Sequence, residues 1–147
     1  MDENILSIAS LHMINSENTQ KKMTGQGSQV YAAIDLGTNN CRLLIAIPKK
    51  ETFHVICSFS RIIRLGEDLK TSGKLSEAAI KRAIKVLSVC QNLMSSNGVT
   101  IYQAIATEAC RRAQNSLDFV SRVYAKTSIN IDIITPYTEA ALTFNAC

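Results

Sequence analysis

The distribution of apolar and polar positions changes at residue 30. Residues 1–29, ending NSENTQKKMTGQGSQ, are polar and rich in Ser, Asn, Gln and Gly beyond a short amphipathic patch around Ile5, Ile8 and Leu11. That composition predicts a mobile N-terminal extension with one helical turn or two. From Val30 the chain reads as apolar runs of strand length: VYAAID, CRLLIAI and TFHVICSF, the last with Phe53, Val55, Cys57 and Phe59 alternating. The turn sequences between them, DLGTNN and PKKET, predict a three-stranded antiparallel meander.

A connector containing RLGEDLKTSGK leads to LSEAAIKRAIKVLSVCQNLMSSNG, where Ile80, Ala83, Ile84, Leu87 and Met94 recur at helical spacing. Ser76 is placed to cap this helix, Glu77 favours its first turn, and Gly98 stops it. VTIYQAIAT then reads as a buried strand, and ACRRA and SLDFVSRVYAKT as helical pieces, with Ser116 capping the second. INIDIIT reads as the last strand, closed by Pro136, and TEAALTF opens a final helix with Thr138 as N-cap. The order β-β-β-α-β-α-β-α describes an α/β fold that joins an antiparallel meander to two crossover units. Strands this apolar call for helices on both faces of the sheet.

Composition narrows the class. With 147 residues, 46% hydrophobic and 19% charged, the chain suits one globular domain with a substantial core. No stretch approaches the roughly 20 apolar residues of a membrane helix, and the start MDENILS carries no positive segment before an apolar one, so a cytoplasmic protein without a membrane partner is expected. The five cysteines are scattered, odd in number and mostly within apolar segments, which favours buried or free thiols over disulfides or zinc. A net charge of +4 is compatible with a small anionic substrate. With 5% aromatics and no Trp, surfaces for stacking bases are scarce, and no specific nucleic acid is expected.

Three patches could carry chemistry. In DLGTNN, Asp35 ends an apolar strand and could hold a cation through water, while N–H groups around Gly37 and the side chains of Thr38, Asn39 and Asn40 could donate to phosphate. A plain hairpin, with Gly supplying positive φ, accounts for the same residues. In ATEACRRAQN, Arg111 and Arg112 point about 100° apart on a helix, so one can face a ligand while the other is solvated. In IITPYTEAALTF, Glu139 lies in the first turn of a helix, where the dipole stabilises its charge and would keep a general base ionised.

Taken together, AAIDLGTNNCRLLIA, RIIRLGEDLKTSGKLSEAAI, AIATEACRRAQN and IIT..TEAALTF resemble, in this order, the exopolyphosphatase / guanosine pentaphosphate phosphohydrolase (Ppx/GppA) family of the actin-like and sugar-kinase-like superfamily. The resemblance runs from about Val30 to Phe144. It implies a ribonuclease-H-like lobe with strand order 3-2-1-4-5, and a phosphoanhydride hydrolase acting on inorganic polyphosphate or guanosine pentaphosphate with Mg²⁺. It further implies that Asp35 positions the metal, that Gly37, Thr38, Asn39 and Asn40 face the phosphates, that Arg111 grips a phosphate, and that Glu139 is catalytic.

Two departures accompany the resemblance. Thr138, Glu139, Ala140 and Ala141 stand where the family has Glu-Glu-Ala-Arg, so one acid and one arginine are missing. The family also continues into a second lobe opening with a D-I-G-G-G-S-T-E type phosphate loop, which residues 1–147 do not contain. The expectation is therefore an N-terminal lobe at 30–147, without its second lobe and little active alone. The alternatives are a non-catalytic phosphate or nucleotide module completed by a separate second-lobe chain or a second copy of this one, and the remnant of an interrupted gene.

Overall fold

The computed structural model describes residues 29–145, with side chains in the last helix as far as Leu142. The expected extension, apart from Gln29, and Cys147 therefore lie outside the described residues. Five strands form one mixed sheet in the order β3-β2-β1-β4-β5: β1 (Tyr31–Leu36), β2 (Asn40–Lys49), β3 (Thr52–Ile62), β4 (Ile101–Ala106) and β5 (Asp132–Ile133). The first three make the antiparallel meander, and β4 and β5 join in parallel. Ile56 is the extra residue of a bulge where the β2–β3 register shifts between Ile45 and Ala46.

Every residue of β1 is buried, as befits a central strand with neighbours on both edges. Alternation sends Ala32, Ile34 and Leu36 into the larger core, and Tyr31 and Ala33 into a smaller core on the opposite face. The larger core lies under α2 (Glu77–Ser96) and α4 (Ser116–Thr127), with short helices α1 (Leu69–Ser72) and α3 (Glu108–Arg112) at the connections. Among the described helices the opposite face receives only α5 (Pro136–Asn145), through Leu142. The expected two-sided cover is thus strongly uneven.

Helix α2 forms as the pattern predicts. The Ser76 hydroxyl accepts from the Ala79 N–H at 3.2 Å, and Ala79, Ile80, Ala83, Leu87, Cys90 and Met94 line its buried face. Gly98, at φ 67°, turns the chain so that the Val99 N–H bonds the Met94 carbonyl.

Three boundaries differ from the sequence reading. Ser116 is the first helical residue of α4, and Asn115 precedes it as the N-cap position. The Asn115 amide is occupied elsewhere, accepting from Leu75 N–H (2.9 Å) and donating to Leu75 carbonyl (3.0 Å), so it ties the start of α4 to the approach of α2. In α5, Pro136 takes the first helical position and Thr135 is the cap, its hydroxyl accepting from Thr138 N–H at 3.1 Å; Thr138 lies inside the first turn. The INIDIIT strand contracts to two paired residues because Ile129 and Ile131 drop into the core and the Asn130 N–H bonds the Tyr102 hydroxyl instead of a strand.

The described cysteines Cys41, Cys57, Cys90 and Cys110 are free, as expected. The neighbouring Cys90 thiol and burial push Cys41 far above the usual thiol range, and burial pushes Cys110 up to about 12, which favours the protonated thiol at both.

Candidate phosphate site

Asp35 is the one charged residue of β1 and is 7% exposed. Alternation puts it on the face of Tyr31 and Ala33, opposite Arg42 of β2 and beside Ile105 of β4. Lost hydration first, and the nearby charge of Glu139 second, push its carboxyl up to about 6.

Arg111 arrives from the next parallel strand. Chain leaving β4 turns at Thr107, whose N–H bonds the Leu36 carbonyl at 3.3 Å, and α3 begins at once beside the end of β1. Within α3, Arg112 points outward and pairs with Glu108 at 3.2 Å, whereas Arg111 turns inward, so only one of the two arginines faces the site. Its Nη1 donates to the Ile134 carbonyl (2.8 Å) and to Glu139 Oε2 (3.0 Å). Both bonds leave one nitrogen. Among the described residues Nε and Nη2 make none, which keeps donors available for a phosphate oxygen.

Glu139 arrives from the third strand. The Ile134 N–H bonds the Ala106 carbonyl, Thr135 caps α5, and the Glu139 N–H closes onto the Thr135 carbonyl at 3.0 Å. Asp35, Arg111 and Glu139 thus converge beyond the carboxyl ends of β1, β4 and β5, where open α/β sheets bind their ligands. Arg42 shares the face and the row of Asp35, a placement the apolar run CRLLIAI concealed.

The turn from Gly37 to Asn40 closes with Gly37 N–H on the Asn40 carbonyl at 2.9 Å. Gly37 has no positive φ, and a Cβ there would meet the Asn40 oxygen at 3.4 Å, an ordinary contact. Neither the positive φ of a plain hairpin nor a donation from Gly37 N–H to phosphate explains this glycine. What it leaves is bare backbone. The Thr38 carbonyl accepts from Gly66 N–H (3.0 Å), and the Asn39 carbonyl from Ile63 (2.7 Å) and Arg64 (3.0 Å) N–H groups. Because a trans peptide sets N–H opposite C=O, the Asn39 N–H points away from Gly66. Asn39 is exposed, and Thr38 and Asn40 are half-buried.

Gly66 packs so closely on the Thr38 methyl that an added Cβ would collide with it. Its RLGE setting was visible in the sequence, but only the fold shows that it backs the turn.

No group of three or more His, Cys, Asp or Glu side chains comes together among the described residues. Asp35 fits the mode in which Mg²⁺ keeps waters and takes one or two carboxylates plus the substrate's phosphates. Burial first, and the charge of Glu139 second, raise the Asp35 carboxyl, and a cation bound there would offset both.

Comparison with known proteins gives the wider setting. The family model described as the Ppx/GppA phosphatase family matches residues 44–147. The chain belongs to this family. The bifunctional 3-dehydroquinate synthase/phosphatase of Fusobacterium nucleatum is 34% identical over 120 residues, covering 77% of this chain and 18% of that protein. Exopolyphosphatase 1 of Mycobacterium tuberculosis is 29% identical over 114 residues, 77% of this chain and 33% of the relative. Among solved structures, the Ppx/GppA family member of Aquifex aeolicus superposes with a TM-score of 0.74 at 35% identity, covering 76% of this chain and 37% of that one. An exopolyphosphatase from Cytophaga hutchinsonii gives 0.74 at 26% identity, with 77% and 36% covered. This family chain therefore spans about a third or less of the length of these relatives.

Proposed function

We propose that this chain is the N-terminal lobe of a phosphoanhydride hydrolase releasing terminal phosphate from inorganic polyphosphate or guanosine pentaphosphate. One observation carries the reading: Asp35, Arg111 and Glu139, distant in sequence, converge beside the Gly37–Asn40 turn. In this reading Arg111 holds Glu139 through Nη1 and takes a phosphate oxygen with its remaining donors. Glu139 orients the attacking water and accepts its proton, and the turn steadies the neighbouring phosphate through Asn39 N–H and the side chains of Thr38, Asn39 and Asn40. Asp35 would hold Mg²⁺, which when bound neutralises charge on the phosphate oxygens.

The experiment is phosphate release from polyphosphate and from guanosine pentaphosphate with Mg²⁺, run beside tripolyphosphate binding by calorimetry. Glu139→Gln is expected to lower whatever release is measured by about a hundred-fold or more while binding stays. Release unaffected by Glu139→Gln would remove Glu139 from the mechanism. Binding without any turnover, in the presence of a second-lobe chain, would favour a non-catalytic phosphate module.

A further inference from the structure

The turn at Gly37–Asn40 closes on its own Gly37–Asn40 hydrogen bond, but its tip rests on a second segment. Its two tip carbonyls are satisfied from outside, Thr38 by Gly66 and Asn39 by Ile63 and Arg64, so its position is set by the segment 63–67. That segment is itself unusual. Arg64 adopts φ 49°, a left-handed conformation rare for a side chain of this size, yet its N–H is spent on Asn39 and its carbonyl accepts from Glu67 N–H at 3.2 Å. A strained residue of this kind persists only where its surroundings hold it.

Arg82 supplies the hold. Projecting from the second turn of α2, its Nε donates to the Ile63 carbonyl at 2.9 Å, and its Nη2 pairs with the Glu67 carboxylate and lies 3.4 Å from the Arg64 carbonyl. One guanidinium thereby ties three residues of the segment to a helix packed into the main core. We propose that Arg82 is a positioning residue for phosphate binding. It touches no ligand and acts through Ile63–Glu67 on the carbonyls of Thr38 and Asn39, fixing the direction of the Asn39 N–H. The role in binding rests on the phosphate reading above; the mechanical link does not.

The fork geometry makes the proposal testable with paired variants. Arg82→Gln removes the charge and the fork, and Arg82→Lys keeps the charge but replaces the rigid planar fork with a single ammonium on a flexible stem. Arg122→Gln is the control, because Arg122 also makes a two-point bridge, to Glu77, between α2 and α4 and far from the turn in sequence. Amide exchange of Ile63, Arg64 and Gly66 reports directly on the bonds to Asn39 and Thr38. Arg82→Gln is expected to speed these three amides about ten-fold, with Arg82→Lys intermediate, Arg122→Gln without effect, and Leu87 and Cys90 amides unchanged throughout. Tripolyphosphate affinity is expected to follow the same order, falling about three- to ten-fold in Arg82→Gln.

Wild-type exchange at Ile63, Arg64 and Gly66 in Arg82→Gln would overturn the proposal, as would full rescue of both readouts by Arg82→Lys, which would leave only a charge effect. Faster exchange with unaltered tripolyphosphate affinity would overturn the binding role. If the wild-type chain binds no tripolyphosphate, the phosphate reading fails instead, and the exchange data still decide whether Arg82 holds the turn.

Discussion

Asp35 loses most of its hydration on folding and stands near a second acid, so the folded state holds its proton up to about pH 6, against a usual value of 3.8. As pH rises through that interval the unfolded chain releases the proton first. Stability therefore falls between about pH 4 and pH 6 and then levels off. A shift of about two units corresponds to roughly 2 to 3 kcal/mol. Asp35→Asn is expected to stabilise the protein by about that amount at about pH 7.5 and by little near pH 4, measured by urea unfolding at both. Mg²⁺ is expected to raise the melting temperature of the wild type and not of Asp35→Asn; equal shifts would argue against Asp35 as the metal carboxylate. Gly37 offers the complementary case. Since an alanine methyl fits there, Gly37→Ala is expected to stay within about 1 kcal/mol of wild-type stability, yet to weaken tripolyphosphate binding where a phosphate needs bare backbone.

At the scale of elements, α2 and α5 differ in what anchors them. Helix α2 buries six side chains in the larger core, whereas α5 contributes Leu142 to the smaller one and leaves Tyr137 84% exposed. Amides after Pro136 are expected to exchange faster than those from Ser76 to Ser96, and equal protection would contradict this account. The same contrast shows which boundaries sequence could reveal. Ser76 and Gly98 frame α2 because cap and stop are local chemistry. Ser116 and INIDIIT misled because distant partners intervene, Asn115 being drawn to Leu75 and Asn130 to Tyr102, whereas Thr138 lost the cap locally to Thr135, ahead of Pro136.

At the scale of the molecule, the described residues form the candidate site as a corner of one sheet. Arg111 and Glu139 side chains are 20% and 30% exposed, so water screens the charges that would stabilise a transition state. Residues 1–147 alone are expected to release phosphate from polyphosphate at least about a hundred-fold more slowly than a full-length exopolyphosphatase assayed in parallel. A rate near that of the longer enzyme would show that this lobe suffices. Among the described residues no helix is long and apolar enough to cross a membrane.

The sequence by itself determined the first four strands and the long helix, because apolar periodicity and turn chemistry are written locally, and the resemblance of its four motifs to the family implied the sheet order. It also singled out Asp35, Arg111 and Glu139. Only the tertiary structure showed that Arg111 is bonded to Glu139, that the charge of this same glutamate reaches Asp35, and that Gly37 owes nothing to positive φ. It alone revealed that the turn's carbonyls lean on Gly66, Ile63 and Arg64, and through them on Arg82. These are contacts between residues tens of positions apart, and their geometry is set by how the sheet and helices pack rather than by any local pattern.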